Sequence, residues 1–162
     1  MPISYQPAKL SQLPEIMAIE RSGFSSTEAA TEAAMRDRIQ LYPDTFITAV
    51  SDGQLAGYIV GPSFNQRYLT DDLFEHAQPN NPADPYQTVL SLVVAPTFQG
   101  QGIASQLLAE LAKVAKHQHR QAITLTCLNQ LVPFYERNGY VNEGISASNH
   151  AGEVWLNMVR PL

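Results

Sequence analysis

Apolar positions along the chain recur with two periods, and the changes of period mark out the elements. Ile3 to Lys9 reads as a first strand. Ser11 is placed to cap a helix that tolerates Pro14 in its first turn. Leu13, Ile16, Met17 and Phe24 follow at helical spacing, and Gly23 ends or bends the segment. Glu20 falls on that same apolar face, an unusual place for a carboxylate. A second helix, rich in Ala and Glu, is predicted over residues 28–41, with Ser26 or Thr27 as its cap and Pro43-Asp44 closing it. The stretches 46–50 and 55–60 read as strands joined by Asp52-Gly53, a hairpin signal, and Gly61-Pro62 breaks the second.

Residues 63–86 are the least regular part, with a short helix predicted over 70–76 and prolines at 79, 82 and 85. A loop of this length inside a compact domain usually serves function. Residues 89–95 are almost continuously apolar, as a central strand buried on both faces would be, and Pro96 stops them. Beyond Gly102, the residues Ile103, Leu107, Leu108, Leu111, Val114 and Ala115 form one helical stripe. Residues 122–128 read as a strand. Residues 131–138 read as a short helix with Gly139 suited to its C′ position. The stretches 140–145 and 153–159 form a closing antiparallel pair. The order β-α-α-β-β-β-α-β-α-β-β predicts an α/β or α+β domain on a mixed sheet.

Composition narrows the function. The 162 residues suit one domain, 1–162, and a hydrophobic fraction of 44% excludes disorder as the main state. No apolar run could span a bilayer, and Met1-Pro2-Ile3-Ser4-Tyr5 lacks a signal-peptide pattern, so a cytoplasmic protein without a membrane partner is expected. A net charge of -5 lacks the basic footprint of a nucleic-acid binder. The single cysteine, Cys127, can form no internal disulfide, and the four histidines show no metal-ligand spacing, so no metal is expected. Cys127 alternates with Leu125 and Ile123 and reads as a core residue, while His117 and His119 sit where a helix ends.

The sharpest local signal runs from Leu92 to Ala104: a buried strand, the loop Gln99-Gly100-Gln101-Gly102, and the start of a long helix. The first N–H groups of a helix lack intrahelical partners, and its dipole adds partial positive charge. Glycines open the backbone to an anion, so the segment fits a phosphate or pyrophosphate. A plain strand-turn-helix connection would use the same glycines. The chain has no Gly-Lys-Ser/Thr P-loop, and no G-x-G-x-x-G follows its first strand.

Gln99-Gly100-Gln101-Gly102-Ile103-Ala104 resembles Arg/Gln-x-x-Gly-x-Gly/Ala, the acetyl-coenzyme A signature of the GNAT N-acetyltransferase superfamily. Phe134-Tyr135-Glu136-Arg137-Asn138-Gly139-Tyr140 is similar to that superfamily's Phe-Tyr-x-x-x-Gly-Phe/Tyr motif and follows in the right order. Leu131-Val132-Pro133-Phe134-Tyr135, Glu20-Arg21-Ser22-Gly23-Phe24 and the segment around Arg67-Tyr68-Leu69-Thr70 resemble the arylalkylamine N-acetyltransferase branch. The likeness extends over most of residues 3–160 and is firmest over 89–140. It implies an α/β (α+β) fold with a mixed, mostly antiparallel sheet, helices on both faces, and central strands splayed to admit acyl-CoA. It implies acetyl-CoA as cosubstrate, with the backbone of Leu92, Val93 and Val94 along pantetheine. Gln99, Gly100, Gln101, Gly102, Ile103 and Ala104 would then surround the pyrophosphate. No lysine or arginine lies in that loop, so N–H groups and the dipole would carry the anion.

Acetyl transfer to an amine needs a neutral amine, a stabilised oxyanion and a proton for the departing thiolate. The resemblance makes Tyr135 the acid, although an aromatic residue packing a short helix is the plainer reading of the same position. At the positions where vertebrate-type arylalkylamine enzymes carry two histidines, this chain has Thr88 and Leu90, so that proton relay is not expected. Residues 24–29 resemble the region where insect-type dopamine acetyltransferases place a glutamate, which makes Glu28 the expected base. An ordinary acidic residue in a helix's first turn would look the same. Glu20 is the second candidate. Ser91 and Asn129 are placed beside the cleft, and His76, Phe64, Tyr68, Phe74 and Tyr86 are candidates to line the amine pocket. The resemblance thus implies a small primary amine as acceptor. A protein N-terminus or lysine, or acyl-CoA sensing without turnover, are the alternatives.

Overall fold

In the computed structural model, which describes residues 2–162, two sheets are joined by one stretch of chain, residues 86–94. The first sheet runs β1 (Ser4–Pro7), β2 (Phe46–Ser51), β3 (Gln54–Val60) and β6 (Ser91–Val94), all antiparallel. The second runs β4 (Ser63–Phe64), β5 (Tyr86–Val89), β7 (Ala122–Leu128), β9 (Trp155–Pro161) and β8 (Val141–Ile145). Among the described residues only β5 and β7 are parallel, so the expected mixed, mostly antiparallel arrangement is what forms.

The predicted strand over 89–95 is corrected to two. It begins earlier, at Tyr86, and breaks at Leu90. The Leu90 N–H donates to the Val60 carbonyl at 2.7 Å, yet the register sets Ser91 opposite Val60, so two residues face one. That is a bulge, and it turns the strand. Before it, β5 pairs with β7 as far as Val89 and Leu125; after it, β6 pairs with β3 alone. The bulge is made by apolar residues with no turn signal, so the pattern of hydrophobic positions does not reveal it. Gly61 permits it: a Cβ there would lie 2.1 Å from the Thr88 carbonyl oxygen, so any side chain would push the strands apart.

Helices cover both faces. On one, α4 (Ile103–His117) buries Ile103, Leu107, Leu108 and Leu111 against Ile47, Ala49, Ala56 and Ile59. Each such side chain contributes about 1.5–3 kcal/mol on leaving water. On the other, α1 (Leu13–Gly23) and α2 (Glu32–Leu41) pack Ile16, Met17, Met35 and Ile39 against Phe46, Leu55, Tyr58 and Val93. Two short helices, α3 (Asp72–Glu75) and α5 (Val132–Arg137), complete the set.

Two helix starts differ from expectation. Ser11 lies in a 3-10 turn, Leu10–Gln12, and α1 begins at Leu13 with Pro14 in its first turn. The second helix begins at Glu32 rather than at residue 28, because Thr31 provides the cap, its hydroxyl accepting the Ala34 N–H at 3.1 Å. Such a cap contributes about 1 kcal/mol. The Ala30 N–H is meanwhile taken by the Glu20 carboxylate at 2.8 Å, which holds residues 25–30 out of the helix. Glu28 therefore sits in a turn closed by bonds from Glu28 and Ala29 N–H to the Ser25 carbonyl.

The irregular segment 63–86 is anchored at both ends. Ser63 donates to Asp84 at 2.6 Å, and Arg120 donates to the carbonyls of Asn81 and Asp84, each at 2.7 Å. Arg67 forks onto Glu143 of β8, and the Tyr68 hydroxyl joins it at 2.7 Å. The guanidinium holds the Glu143 carboxyl below its ordinary range. That tie is therefore made above the usual glutamate pKa and is lost on acidification.

Candidate functional site

After the turn at Leu90, β6 pairs with β3 and not with β7, which leaves a gap between β6 and β7. A cavity of about 400 Å³ lies between β6, the N-terminus of α4 and α5, walled by Leu92, Val94, Phe98, Gly102, Ile103 and Phe134 among others. The Ala95 N–H donates to the Ala56 carbonyl. By the alternation of an antiparallel ladder, Val93 and Ser91 also turn their backbone groups to β3, while Leu92 and Val94 turn theirs to the gap. Val93 is thus not on this wall; its backbone serves the sheet and its side chain the α1 core. Gln99, Gly100 and Ala104 line the cavity, and Gln101 does not. The Gln99 amide donates to the Val94 carbonyl at 3.3 Å.

Gly100 and Gly102 have φ of +81° and +78°, the left-handed region that other residues enter only with strain. A Cβ added at either would meet nothing within 4 Å. The glycines are there for backbone handedness, and they leave open space in front of the helix N-terminus. Among the described residues, the walls of this cavity carry no lysine or arginine.

A second cavity, of about 430 Å³, is lined by residues 89–92 and by residues 125–128 of β7, and is bounded by the α1–α2 connection, α3 and the segment before β9. It is lined by four acidic residues, Glu20, Glu28, Asp71 and Glu75, and by Arg38. Phe24, Phe74, His150 and Trp155 provide aromatic surface. Glu20 is 1% exposed, and both its oxygens are engaged, one by the Tyr58 hydroxyl at 2.5 Å and the other by Ala30 N–H. Burial and the Glu20 charge push the Tyr58 phenol far above its usual pKa, so it stays a donor to that carboxylate. Glu28 is half-buried and accepts from the Ser25 hydroxyl at 2.9 Å through one oxygen.

The two cavities share Leu92, Leu131 and Tyr135. Tyr135 is buried, edge-on to Phe134 and Tyr140 with ring centroids 5.1 and 5.6 Å away. Burial pushes its pKa well above that of a free phenol, so the hydroxyl is protonated at any physiological pH. Cys127 belongs to the core, as expected, but also reaches the second cavity; burial raises its thiol to about 11, which keeps it neutral.

Tyr135, Glu28, Glu20 and Ser91 thus come together around the second cavity, although they are far apart in sequence. Of the aromatic residues expected on its wall, only Phe74 is there. Tyr68 is turned to Glu143, Phe64 and Tyr86 pair in β4 and β5, and His76 and Asn129 lie off both walls. Sequence reasoning missed Arg38, His150 and Trp155. For His150 and Trp155 the available signal was the connection between residues 145 and 155, too long for a simple hairpin loop and rich in small and polar residues. Trp155 fixes this segment by donating to the His150 carbonyl at 2.9 Å, and His150 stacks on Phe74 at 6.1 Å. Among the described residues no group of three or more His, Cys, Asp or Glu could hold a metal, and no helix is long and apolar enough to cross a membrane.

The pattern of the Acetyltransferase (GNAT) family matches residues 13–140, and the chain belongs to that family. An uncharacterized N-acetyltransferase, ycf52, of Gracilaria tenuistipitata var. liui is 34% identical over 56 residues. That match covers 35% of this chain and 31% of the relative, so it spans about a third of each. The fold is shared with the loading GNATL domain of CurA from Lyngbya majuscula, at a TM-score of 0.86 and 12% identity over 99% of this chain and 98% of that one. It is shared also with Arabidopsis thaliana Naa50 in complex with the bisubstrate analogue CoA-Ac-MVNAL, at a TM-score of 0.77 and 14% identity over the whole of both chains.

Proposed function

We propose that the protein transfers an acetyl group from acetyl-CoA to the primary amine of a small, arylalkylamine-like acceptor. One observation carries this reading: two cavities of opposite character meet at a single protonated phenol, Tyr135. The first suits the coenzyme. Its open glycine loop and helix N-terminus fit a pyrophosphate, and the strand edge at Leu92 and Val94 offers amide groups to pantetheine. The second suits an amine, with four carboxylates to attract a cation and aromatic walls to hold a ring. Its volume is that of a small-ligand site.

The reaction replaces the thioester C–S bond by a C–N bond, and one proton passes from nitrogen to sulfur. Tyr135 is the proposed acid. Burial holds the Tyr135 phenol protonated, so it donates a hydrogen bond to the sulfur as negative charge grows there, and the proton it gives the thiolate is restored from the one the amine releases. Glu28 is the proposed receiver of that amine proton. Its second oxygen has no hydroxyl partner, whereas both oxygens of Glu20 are engaged.

Glu28→Gln should lower kcat at pH 7 by about tenfold or more, with partial recovery as pH rises and more amine is neutral. A rise in KM with intact kcat would make Glu28 a cation-binding group instead. Glu20→Gln should chiefly lower the melting temperature, because it disturbs the contacts to Tyr58 and Ala30. The reading itself is tested by measuring free thiol release and acetylated product with tyramine, tryptamine, a polyamine and a short peptide. Aromatic amines should lead. The bisubstrate complex of Arabidopsis Naa50 favours a second reading, a peptide acceptor, and acetylation of the peptide alone would establish it.

A further inference from the structure

We infer that the acceptor carries a carboxylate beside its amine, that it is an aromatic amino acid, and that Arg38 binds that carboxylate. The inference deepens the small-amine reading and rests on it. Arg38 lies in α2, one helical turn before the helix ends, and is 2% exposed, the largest fully buried side chain of the core. It nonetheless lines the second cavity.

A buried guanidinium normally has a carboxylate against it, because an unpaired buried charge costs several kcal/mol. Arg38 has none: among the described residues no carboxylate oxygen lies within 4.0 Å of its nitrogens. Its contacts are one bond to the Phe74 carbonyl at 3.1 Å and one to the Met35 sulfur at 3.8 Å. Both are weak partners for a cation with five N–H donors. The nearby acid, Glu20, is held away by its own two bonds, to Tyr58 and Ala30.

The cavity therefore presents separated charges of both signs. Glu28 sits on one wall in the α1–α2 connection, and Arg38 sits deeper, on α2. A simple amine satisfies only the carboxylates and leaves Arg38 unpaired. An amino acid satisfies both, placing its ammonium toward Glu28 and its carboxylate on Arg38, whose guanidinium is a group that pairs with carboxylates at two points. Phe74 adds to this geometry, since its carbonyl fixes Arg38 and its ring, stacked on His150, forms part of the wall for the side chain.

The test compares matched pairs, tyrosine with tyramine and tryptophan with tryptamine, using the full chain and acetyl-CoA. The wild-type protein should acetylate each amino acid with kcat/KM at least about tenfold above its decarboxylated partner. Arg38→Gln should lower kcat/KM for the amino acids about 10- to 100-fold, the loss expected of one charge-assisted contact. Tyramine and tryptamine should change by less than about threefold. Arg38→Lys, which keeps the charge, should recover part of the loss and controls for folding. Preference of the wild-type protein for the decarboxylated amines would overturn this inference and leave the small-amine reading standing. So would an equal loss on both partners of a pair in a folded Arg38→Gln variant. Acetylation of neither partner would overturn both.

Discussion

Tyr135→Phe should lower kcat at pH 7 about 100-fold or more while leaving coenzyme A affinity within about twofold. The substitution keeps the ring, and with it the edge-on packing against Phe134 and Tyr140, so the fold has little reason to change. It removes only the hydroxyl at the junction of the two cavities. Because burial already holds that phenol far from ionisation, the wild-type rate should show no loss attributable to Tyr135 between pH 6 and 9. A single-turnover measurement separates chemistry from product release, which can mask the effect on kcat. Full activity in the single-turnover experiment would reduce Tyr135 to a packing residue.

Gly102→Glu should weaken coenzyme A binding about 100-fold or more, roughly 2.7 kcal/mol. Three effects add. The position has φ of +78°, which costs an L-residue about 1–2 kcal/mol. The side chain would occupy the open space before α4, and its charge would oppose a phosphate there. Gly102→Ala carries the backbone cost alone, so it should lower the melting temperature by nearly as much while weakening binding far less. Calorimetry and thermal melts on the two variants separate strain from site. Equal affinity for the coenzyme in a folded Gly102→Glu variant would move the pyrophosphate away from this loop.

The coenzyme side was the most legible part of the chain because it is contiguous: strand end, glycine loop and helix start lie within residues 92–104, and each has its own local signal. Glu20 was legible for a different reason. A carboxylate on an apolar helical face must be satisfied in the core, and it is, by Tyr58 and Ala30. The acceptor side was not legible, since its walls come from segments brought together only by tertiary structure. Arg38 reads as one more polar residue in an Ala- and Glu-rich helix, and only the packing of residues 71–75 over it makes it a buried cation. The break at Leu90 was invisible because a bulge among apolar residues leaves their pattern intact, although it is what opens the gap. Glu28 reads as the first turn of a helix because nothing local shows that Thr31 is the cap or that the Ala30 N–H is taken by Glu20, ten residues earlier in the chain.

A crystal structure with coenzyme A bound tests the central claim most directly. The pyrophosphate should accept N–H groups from the residues that open α4, Ile103 and Ala104. The pantetheine amides should run along Leu92 and Val94, and the sulfur should lie within hydrogen-bond reach of the Tyr135 hydroxyl. Coenzyme density outside the gap between β6 and β7, or a sulfur remote from Tyr135, would contradict the account.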